Sequence, residues 1–470
     1  MAENSEHKPQ DDDPRRGLAS VSLLLEQPAI QTLIAEHSRP LVLDAVHAAL
    51  EGFRQALRPG DPTPDLHAVI ARTEAALAAS EFQRLRPVVN ATGIILHTGL
   101  GRAVLPQRAV DALAGLNRCC NLQIDLETGL RGKRNYMTER LFCRLTGAEA
   151  ATVVNNNAAA TLLILAALCP GQEVVISRGQ LIEIGGSFRL PDCIRQSGAV
   201  MVEVGTTNKT HLRDYENALT ENTGMILHVH PSNYRIVGFT EEVSLAELVG
   251  LKRKRPVLVV DDLGCGALVN LEQYGLPHEP TVQESLAAGA DLVCFSGDKL
   301  ISGPQAGIIV GKSDLIGRIK KHPLSRMLRV SKLTDLALEQ TLRLFLEPET
   351  LVEKNPTLRM LATPAAKLKR RAERLARAIR KRNPAVQVRV AEGESATGGG
   401  SLPAVAIPTF VLAVSASNQS ADELSHCLRR NKPPIITRIK NDEVLLDMRT
   451  LLDGDEKTIE EAFARLSSCP

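Results

Sequence analysis

Asp291-Leu-Val-Cys-Phe-Ser-Gly-Asp-Lys299-Leu-Ile-Ser-Gly-Pro-Gln-Ala-Gly307 is the stretch on which the reading of this chain turns. It opens as a short apolar run, Leu292 to Phe295, of the kind that forms a buried strand. The run breaks at Ser296-Gly297 and presents Asp298 and Lys299 just past the strand end. Gly303-Pro304 marks a second turn, and Gly307-Ile-Ile-Val-Gly311 reads as a returning strand. A lysine at the mouth of a parallel sheet, between glycines that let other groups come close, is placed to form an imine. A lone lysine on a turn is more often a surface residue, so its companions have to decide.

The surrounding pattern fixes the kind of sheet. From about residue 85 to 350, apolar runs appear at Ala151–Val154, Val174–Ile176, Val200–Val204, Met225–Val229, Val257–Val260 and Leu292–Phe295. Helical segments lie between several of them, notably Ala158–Leu168, Leu245–Lys252 and Val282–Ala288. Short, near-continuous apolar strands alternating with helices indicate an α/β fold, a largely parallel sheet covered on both faces. Ligands bind such sheets beyond the carboxyl ends of the strands.

Two polar clusters fall where such a site requires them. Asn155-Asn156-Asn157 follows the first run and opens the next helix, where free N–H groups can receive a phosphate. Capping alone needs one Asn, and three in a row point to a ligand. Asp261-Asp262-Leu-Gly-Cys-Gly266 follows Val257–Val260. A carboxylate there could hold a pyridinium nitrogen protonated and make a cofactor ring an electron sink; a turn or Mg²⁺ ligand is the plainer reading. No phosphate-binding glycine motif of the nucleotide-binding kinds is present. Anion site, acid and lysine in this order suggest a pyridoxal-phosphate enzyme.

The flanks are of another character. Residues 1–16 are polar and are expected to form a disordered tail, neither signal nor transit peptide. Residues 17–80 read as an appended helical module, with helices through Leu18–Ile34, Pro40–Leu57 and Asp65–Ala79. Its four basic residues against seven acids make it net acidic, awkward for RNA binding. The catalytic body is expected over 81–350 and a small α+β domain over 351–470. The latter starts with a helix, Ala365–Asn383, whose Leu368, Ala372, Leu375 and Ile379 form a core stripe. Its many Lys and Arg residues fit either a solvated face or a nucleic-acid contact surface. Thr397-Gly-Gly-Gly-Ser-Leu-Pro403 reads as a loop or hinge.

Composition bounds the rest. A chain of 470 residues with net charge +2 gives no electrostatic hint of partners, and the absence of Trp argues against a base-stacking platform. No apolar run has membrane-spanning length. Nine cysteines without a C-x-x-C pair suit scattered reduced thiols, not a metal site, so a cytoplasmic protein with no metal is expected.

The chain resembles the bacterial selenocysteine synthase family, fold-type-I pyridoxal-phosphate enzymes that act as L-seryl-tRNA(Sec) selenium transferases. The resemblance runs from about Ser20 to Thr450. It rests on Val88-Val-Asn-Ala-Thr-Gly-Ile-Ile-Leu-His-Thr98, Asn121-Leu-Gln-Ile-Asp-Leu-Glu-Thr-Gly129, Val153-Val-Asn-Asn-Asn-Ala-Ala159, Glu183-Ile-Gly-Gly-Ser-Phe-Arg189, Ser296-Gly-Asp-Lys-Leu300 and Gly303-Pro-Gln-Ala-Gly-Ile-Ile-Val310. It implies pyridoxal 5'-phosphate bound as an imine to Lys299, with Asp262 at the pyridine nitrogen and Asn155, Asn156 and Asn157 at the phosphate. Asp298 becomes the acidic neighbour at the reaction centre, and Arg102, Arg326 and Arg329 the set for selenophosphate. Thr206 and Thr207 match a threonine pair near the site. The implied reaction eliminates water from seryl-tRNA(Sec) to give aminoacrylyl-tRNA and then adds selenium. The implied assembly is a decamer, a pentamer of dimers, with the N-terminal module recognising tRNA.

Three positions depart from the family's common residues: Gln180 for Glu, Cys265 for Ser and Gly99 for Asn. The alternative is a related lyase acting on a small amino acid or an amino sugar phosphate. Such relatives lack the helical module, so residues 17–80 favour the tRNA enzyme.

Overall fold

The structure is a computed structural model that describes residues 13–82, 85–186 and 188–466. It forms two compact units, residues 1–87 and 88–470. Most of the tail expected over 1–16 lies outside the described residues; Pro14–Gly17 is a single 3-10 turn.

In the first unit the helices are Val21–Leu25, Pro28–His37, Arg39–Ala56 and Leu66–Phe82. The first expected helix is thus two, because Pro28 cannot donate a backbone hydrogen bond and opens a new helix. Leu24, Ile30, Val42, Val46, Leu50 and Val69 form its small core.

The second unit is built on a seven-stranded sheet. Its strands are β1 (Ala150–Val154), β2 (Glu173–Ser177), β3 (Val200–Val204), β4 (Thr223–Val229), β5 (Leu258–Gly264), β6 (Leu292–Ser296) and β7 (Gly307–Gly311). The order is β1-β7-β6-β5-β4-β2-β3. All neighbours are parallel except β7, which runs antiparallel to both β1 and β6. Side chains alternate between two cores. Val174, Met225, Leu227, Leu292, Cys294 and Ile309 enter one, while Val153, Val293, Phe295, Ile308 and Val310 enter a second on the other face. This double burial is why the strands read as unbroken apolar runs.

A four-stranded antiparallel sheet follows: β8 (Val386–Ser395), β9 (Ile407–Ala416), β10 (Arg438–Lys440) and β11 (Glu443–Asp447), in the order β8-β9-β11-β10. The helix Ala365–Arg382 lays Leu368, Ala372, Leu375 and Ile379 onto it, the stripe expected from periodicity. This layer is stitched to the start of the unit. Val89–Asn90 pairs in parallel with Ile435–Ile436, and the Ile95 and Leu96 amides donate to the Ala396 and Thr397 carbonyls at 3.0 and 2.7 Å. These two crossings bring residues 98–102 and 398–400 towards one place.

Among the described residues, seven cysteines are free thiols and Cys427 is disulfide-bonded, so the expectation of reduced thiols does not hold throughout. Among the described residues, no single helix is long and apolar enough to cross a membrane. Nor is any group of three or more His, Cys, Asp or Glu placed to hold a metal.

Candidate active site

The lysine loop joins the carboxyl end of β6 to the start of β7, neighbouring strands that stand third and second from one edge of the sheet. It is pinned at every turn. The Gly297 amide donates to the Ala306 carbonyl at 2.8 Å, the Gly303 amide to the Gly297 carbonyl at 2.9 Å and the Ser302 amide to the Lys299 carbonyl at 3.0 Å. Asn355 Nδ2 donates to the Ile301 carbonyl at 2.9 Å. Ser302 sits at φ +65 with its hydroxyl donating to the Val104 carbonyl, so the local strain is held by surrounding structure.

Lys299 is buried, with 7% of its surface exposed, and its Nζ makes one long contact, 3.4 Å to the Gly400 carbonyl. Burial disfavours the ammonium and holds its pKa below the usual lysine range, outweighing the attraction of Asp262 and Asp298. The amine is therefore buried, weakly held and biased towards its nucleophilic form.

Asp262 was expected just beyond its strand. It lies inside β5, which runs on to Gly264 because β4 and β6 keep pairing with it, Val229 opposite Asp262 and Asp262 opposite Cys294. Its carboxylate accepts from Asn157 Nδ2 at 2.7 Å, Thr161 Oγ1 at 2.9 Å and the Gly264 amide at 3.1 Å. Burial raises its pKa, and these three donors work against that shift to favour the anion. Asp261 faces the opposite way, to His228 Nδ1 at 2.6 Å.

Asp298 is buried and receives Arg102 Nη1 at 2.7 Å. Arg102 adopts φ +63, which a non-glycine residue rarely does. Its amide donates to the His97 carbonyl at 3.0 Å, and the ion pair fixes its far end.

These groups line one cavity of about 720 Å³ at the carboxyl ends of the strands. Lys299, Asp298, Asp262, Arg102, Asn156 and Asn157 all reach it. Asn156 caps the helix Asn157–Leu168, accepting the Ala159 amide at 2.9 Å. Asn157 Oδ1 is buried without a partner, as is Arg102 Nε. Orphaned polar atoms, a helix N-terminus, a fixed carboxylate and a weakly held lysine are what a phosphorylated pyridine aldehyde would engage. The residues fit that cofactor.

Five expected residues do not line the cavity. Asn155 is spent on backbone contacts, its amide donating to the Leu328 carbonyl at 2.9 Å. Arg326 and Arg329 are exposed, although the Arg329 backbone pairs with Val154 at the end of β1. Thr206 and Thr207 occupy an exposed turn in which Thr206 Oγ1 donates to the Lys209 carbonyl at 3.0 Å.

Other lining residues were missed. Gly399 and Gly400 arrive from the far end of the chain, in a run where Gly398, Gly399 and Gly400 hold φ +70, +58 and +76. A Cβ on Gly400 would lie 3.1 Å from Lys299 Nζ. Three consecutive glycines were the available signal, read only as a hinge. Thr161, His230, Ser232 and Asn233 also line the cavity without any motif to mark them.

The departures from the family pattern are accommodated. Gln180 is buried, and its Oε1 accepts the Val229 amide at 3.1 Å, a role that needs no charge. Cys265 donates its thiol to Glu279 Oε1 at 2.6 Å, and Glu279 in turn meets His230 Nε2 at 3.3 Å.

Comparison with known proteins decides the family. The model described as L-seryl-tRNA selenium transferase matches residues 88–452, and the one described as selenocysteine synthase N terminal matches residues 17–54. The chain belongs to the L-seryl-tRNA selenium transferase family. A protein of Geobacter sulfurreducens named L-seryl-tRNA(Sec) selenium transferase is 47% identical over 96% of this chain and 99% of its own length. Proteins of the same name from Caldanaerobacter subterraneus and Clostridium botulinum strain Okra are 46% and 44% identical over 97% and 96% of this chain, and 99% and 98% of their own lengths. Among solved structures, D-glucosaminate-6-phosphate ammonia-lyase superposes with a TM-score of 0.56 at 20% identity, over 82% of this chain and 97% of its own, a likeness of fold. The family is one of fold-type-I pyridoxal-phosphate enzymes, as the resemblance implied.

Proposed function

We infer that this chain converts L-seryl-tRNA(Sec) to L-selenocysteinyl-tRNA(Sec), with selenophosphate as the selenium donor. The observation that carries the reading is the placement of Lys299, buried at the end of β6 in the same cavity as Asp262, in a chain matched over 96% of its length by transferases of that name.

Lys299 would hold pyridoxal phosphate covalently, Asp262 would keep its ring nitrogen protonated, and Asn156, Asn157 and the helix N-terminus would hold its phosphate. When bound, the cofactor supplies an electron-withdrawing ring that stabilises the carbanion left as the Cα proton departs. The buried Lys299 amine would take that proton at Nζ. The β-hydroxyl would leave as water with the proton returned from Lys299 Nζ; the selenium of selenophosphate would then bond to the β-carbon as a proton is restored at Cα, and water would cleave the Se–P bond to release phosphate. Arg102 is positioned to orient Asp298 and to offer its remaining N–H groups to the incoming phosphate. Arg326 and Arg329 lie outside the cavity, Arg329 beside the end of β1, and would draw the anion in.

The reading includes a cytoplasmic homo-oligomer, a decamer built from dimers. Exposed Ile124, Leu126 and Leu130, at 51, 76 and 70%, support association. The test is incubation with selenophosphate and either seryl-tRNA(Sec) or seryl-tRNA(Ser), reading which RNA acquires selenium. The first should and the second should not. Turnover of a free amino acid instead, without selenium transfer, would overturn the reading. Lys299→Ala should abolish both transfer and the cofactor's visible absorbance band.

A further inference from the structure

Away from the cavity, a dense block of charge lies on the helix Ala365–Arg382. Its 18 residues carry nine lysines and arginines against one acid, Glu373, in a chain whose net charge is only +2. With Leu368, Ala372, Leu375, Ala376 and Ile379 buried, Lys367, Arg370, Arg374, Arg377 and Lys381 share one arc of about 80° on the outward side, a line about 21 Å long at 1.5 Å per residue.

The neighbouring helix Asp455–Arg465 answers one flank only. Glu456 pairs with Arg371 at 2.9 Å and Arg374 at 3.2 Å, and Glu460 with Arg382 at 2.9 Å. Arg380 donates to the Val388 carbonyl, and Lys369 lies 5.6 Å from the Phe410 ring centre. Lys367, Arg370, Arg377 and Lys381 are exposed and, among the described residues, their side chains make no ion pair or hydrogen bond.

Helix stability does not explain this line. Like charges three and four residues apart repel, and Lys367 and Arg370 stand near the helix N-terminus, where the macrodipole disfavours cations. An external anion with charges repeated along its length relieves both. The arc carries no exposed apolar or aromatic side chain that could form the core of a protein interface. A contact made by charge alone fits a nucleic-acid backbone.

We propose that the Lys367, Arg370, Arg374, Arg377 and Lys381 face docks the phosphate backbone of the RNA substrate. The proposal rests on the tRNA reading above. The contact is independent of sequence: it holds and orients the RNA, and leaves the choice between tRNAs to other parts of the molecule.

The test uses the full-length holoenzyme carrying K367Q, R370Q, R377Q and K381Q together, and a second variant with R370Q and R377Q alone. Binding of transcribed tRNA(Sec) and tRNA(Ser) is measured between 50 and 200 mM salt. Each lost phosphate contact removes about 0.7–0.9 from the slope of log affinity against log salt. The quadruple variant should therefore lose about 3 from the slope and the double variant about half of that, equally for both RNAs. The cofactor band and helical circular dichroism should be unchanged. An unaltered slope in a folded quadruple variant overturns the proposal. Unaltered RNA binding with a smaller assembly in sedimentation also overturns it, and gives the face to a protein neighbour. A parent enzyme that binds neither tRNA overturns the substrate reading itself, a different failure.

Discussion

Gly400→Ala separates the cost of backbone strain from the cost of moving Lys299. Gly400 holds φ +76, and a Cβ there would stand 3.1 Å from Lys299 Nζ. Left-handed backbone costs an alanine about 1–2 kcal/mol. Gly275 holds φ +75 with no heavy atom within 4 Å of its Cβ position, so Gly275→Ala carries the strain without the contact. Both variants should lose about 1–2 kcal/mol in urea unfolding. They should differ in turnover. The new methyl is a few tenths of an ångström too close, and the neighbouring atom is the end of a flexible side chain, so the amine yields. A displacement of about 1 Å at a reacting atom can cost about 100-fold. A few tenths should lower kcat/KM about 10-fold in Gly400→Ala, near 1.4 kcal/mol of barrier, and leave Gly275→Ala unchanged. The assay is selenium transfer to seryl-tRNA(Sec) beside denaturant titration of the same preparations. Equal turnover of the two variants, at equal loss of stability, would refute the account of how Gly400 seats the lysine.

Arg102→Ala leaves buried Asp298 without its partner and should destabilise by about 1–3 kcal/mol, a range set low because Arg102 is itself one-third exposed. Arg102→Gly removes the same pair but relieves φ +63, so its unfolding midpoint should lie above that of the alanine variant. Burial lowers the Lys299 pKa, so in cofactor-free enzyme unfolding takes up a proton between the folded value and 10.5. Unfolding free energy should therefore rise with pH through that window, and Lys299→Met should flatten the rise; an identical slope in both proteins would contradict it. Cys265→Ser keeps a donor to Glu279 and should be nearly silent, whereas Cys265→Ala should cost about 1–3 kcal/mol in unfolding experiments.

The elements legible in the sequence were those whose cause is local. The strand-turn-strand around Lys299 announced itself because Leu292–Phe295 is buried on both faces and glycines mark each turn. Asn156 was legible as a helix cap. What escaped depends on distant partners. β5 continues past Val260 through two charged residues, which no β propensity favours, because two flanking strands impose the pairing. Gly400 reaches Lys299 only because Ile95 and Leu96 pair with Ala396 and Thr397, some 300 positions away. Arg326 and Arg329 carry the right chemistry, but their chain positions do not reveal that they stay at the surface.

The antiparallel strand β7 sets a timetable for the molecule. It fills the gap between β1 and β6, so β1 has no partner in the sheet until residue 307 exists. At a synthesis rate of about 5–20 residues per second, the roughly 150 residues after Val154 take about 8–30 s to appear. Throughout that interval Ala151, Val153 and Val154 remain an open apolar edge on the nascent chain. The same event that closes this edge also closes the lysine loop at both ends. The backbone of the lysine loop is therefore fixed at that moment, whereas the Lys299 amine gains its Gly400 contact only after about 90 further residues have been made.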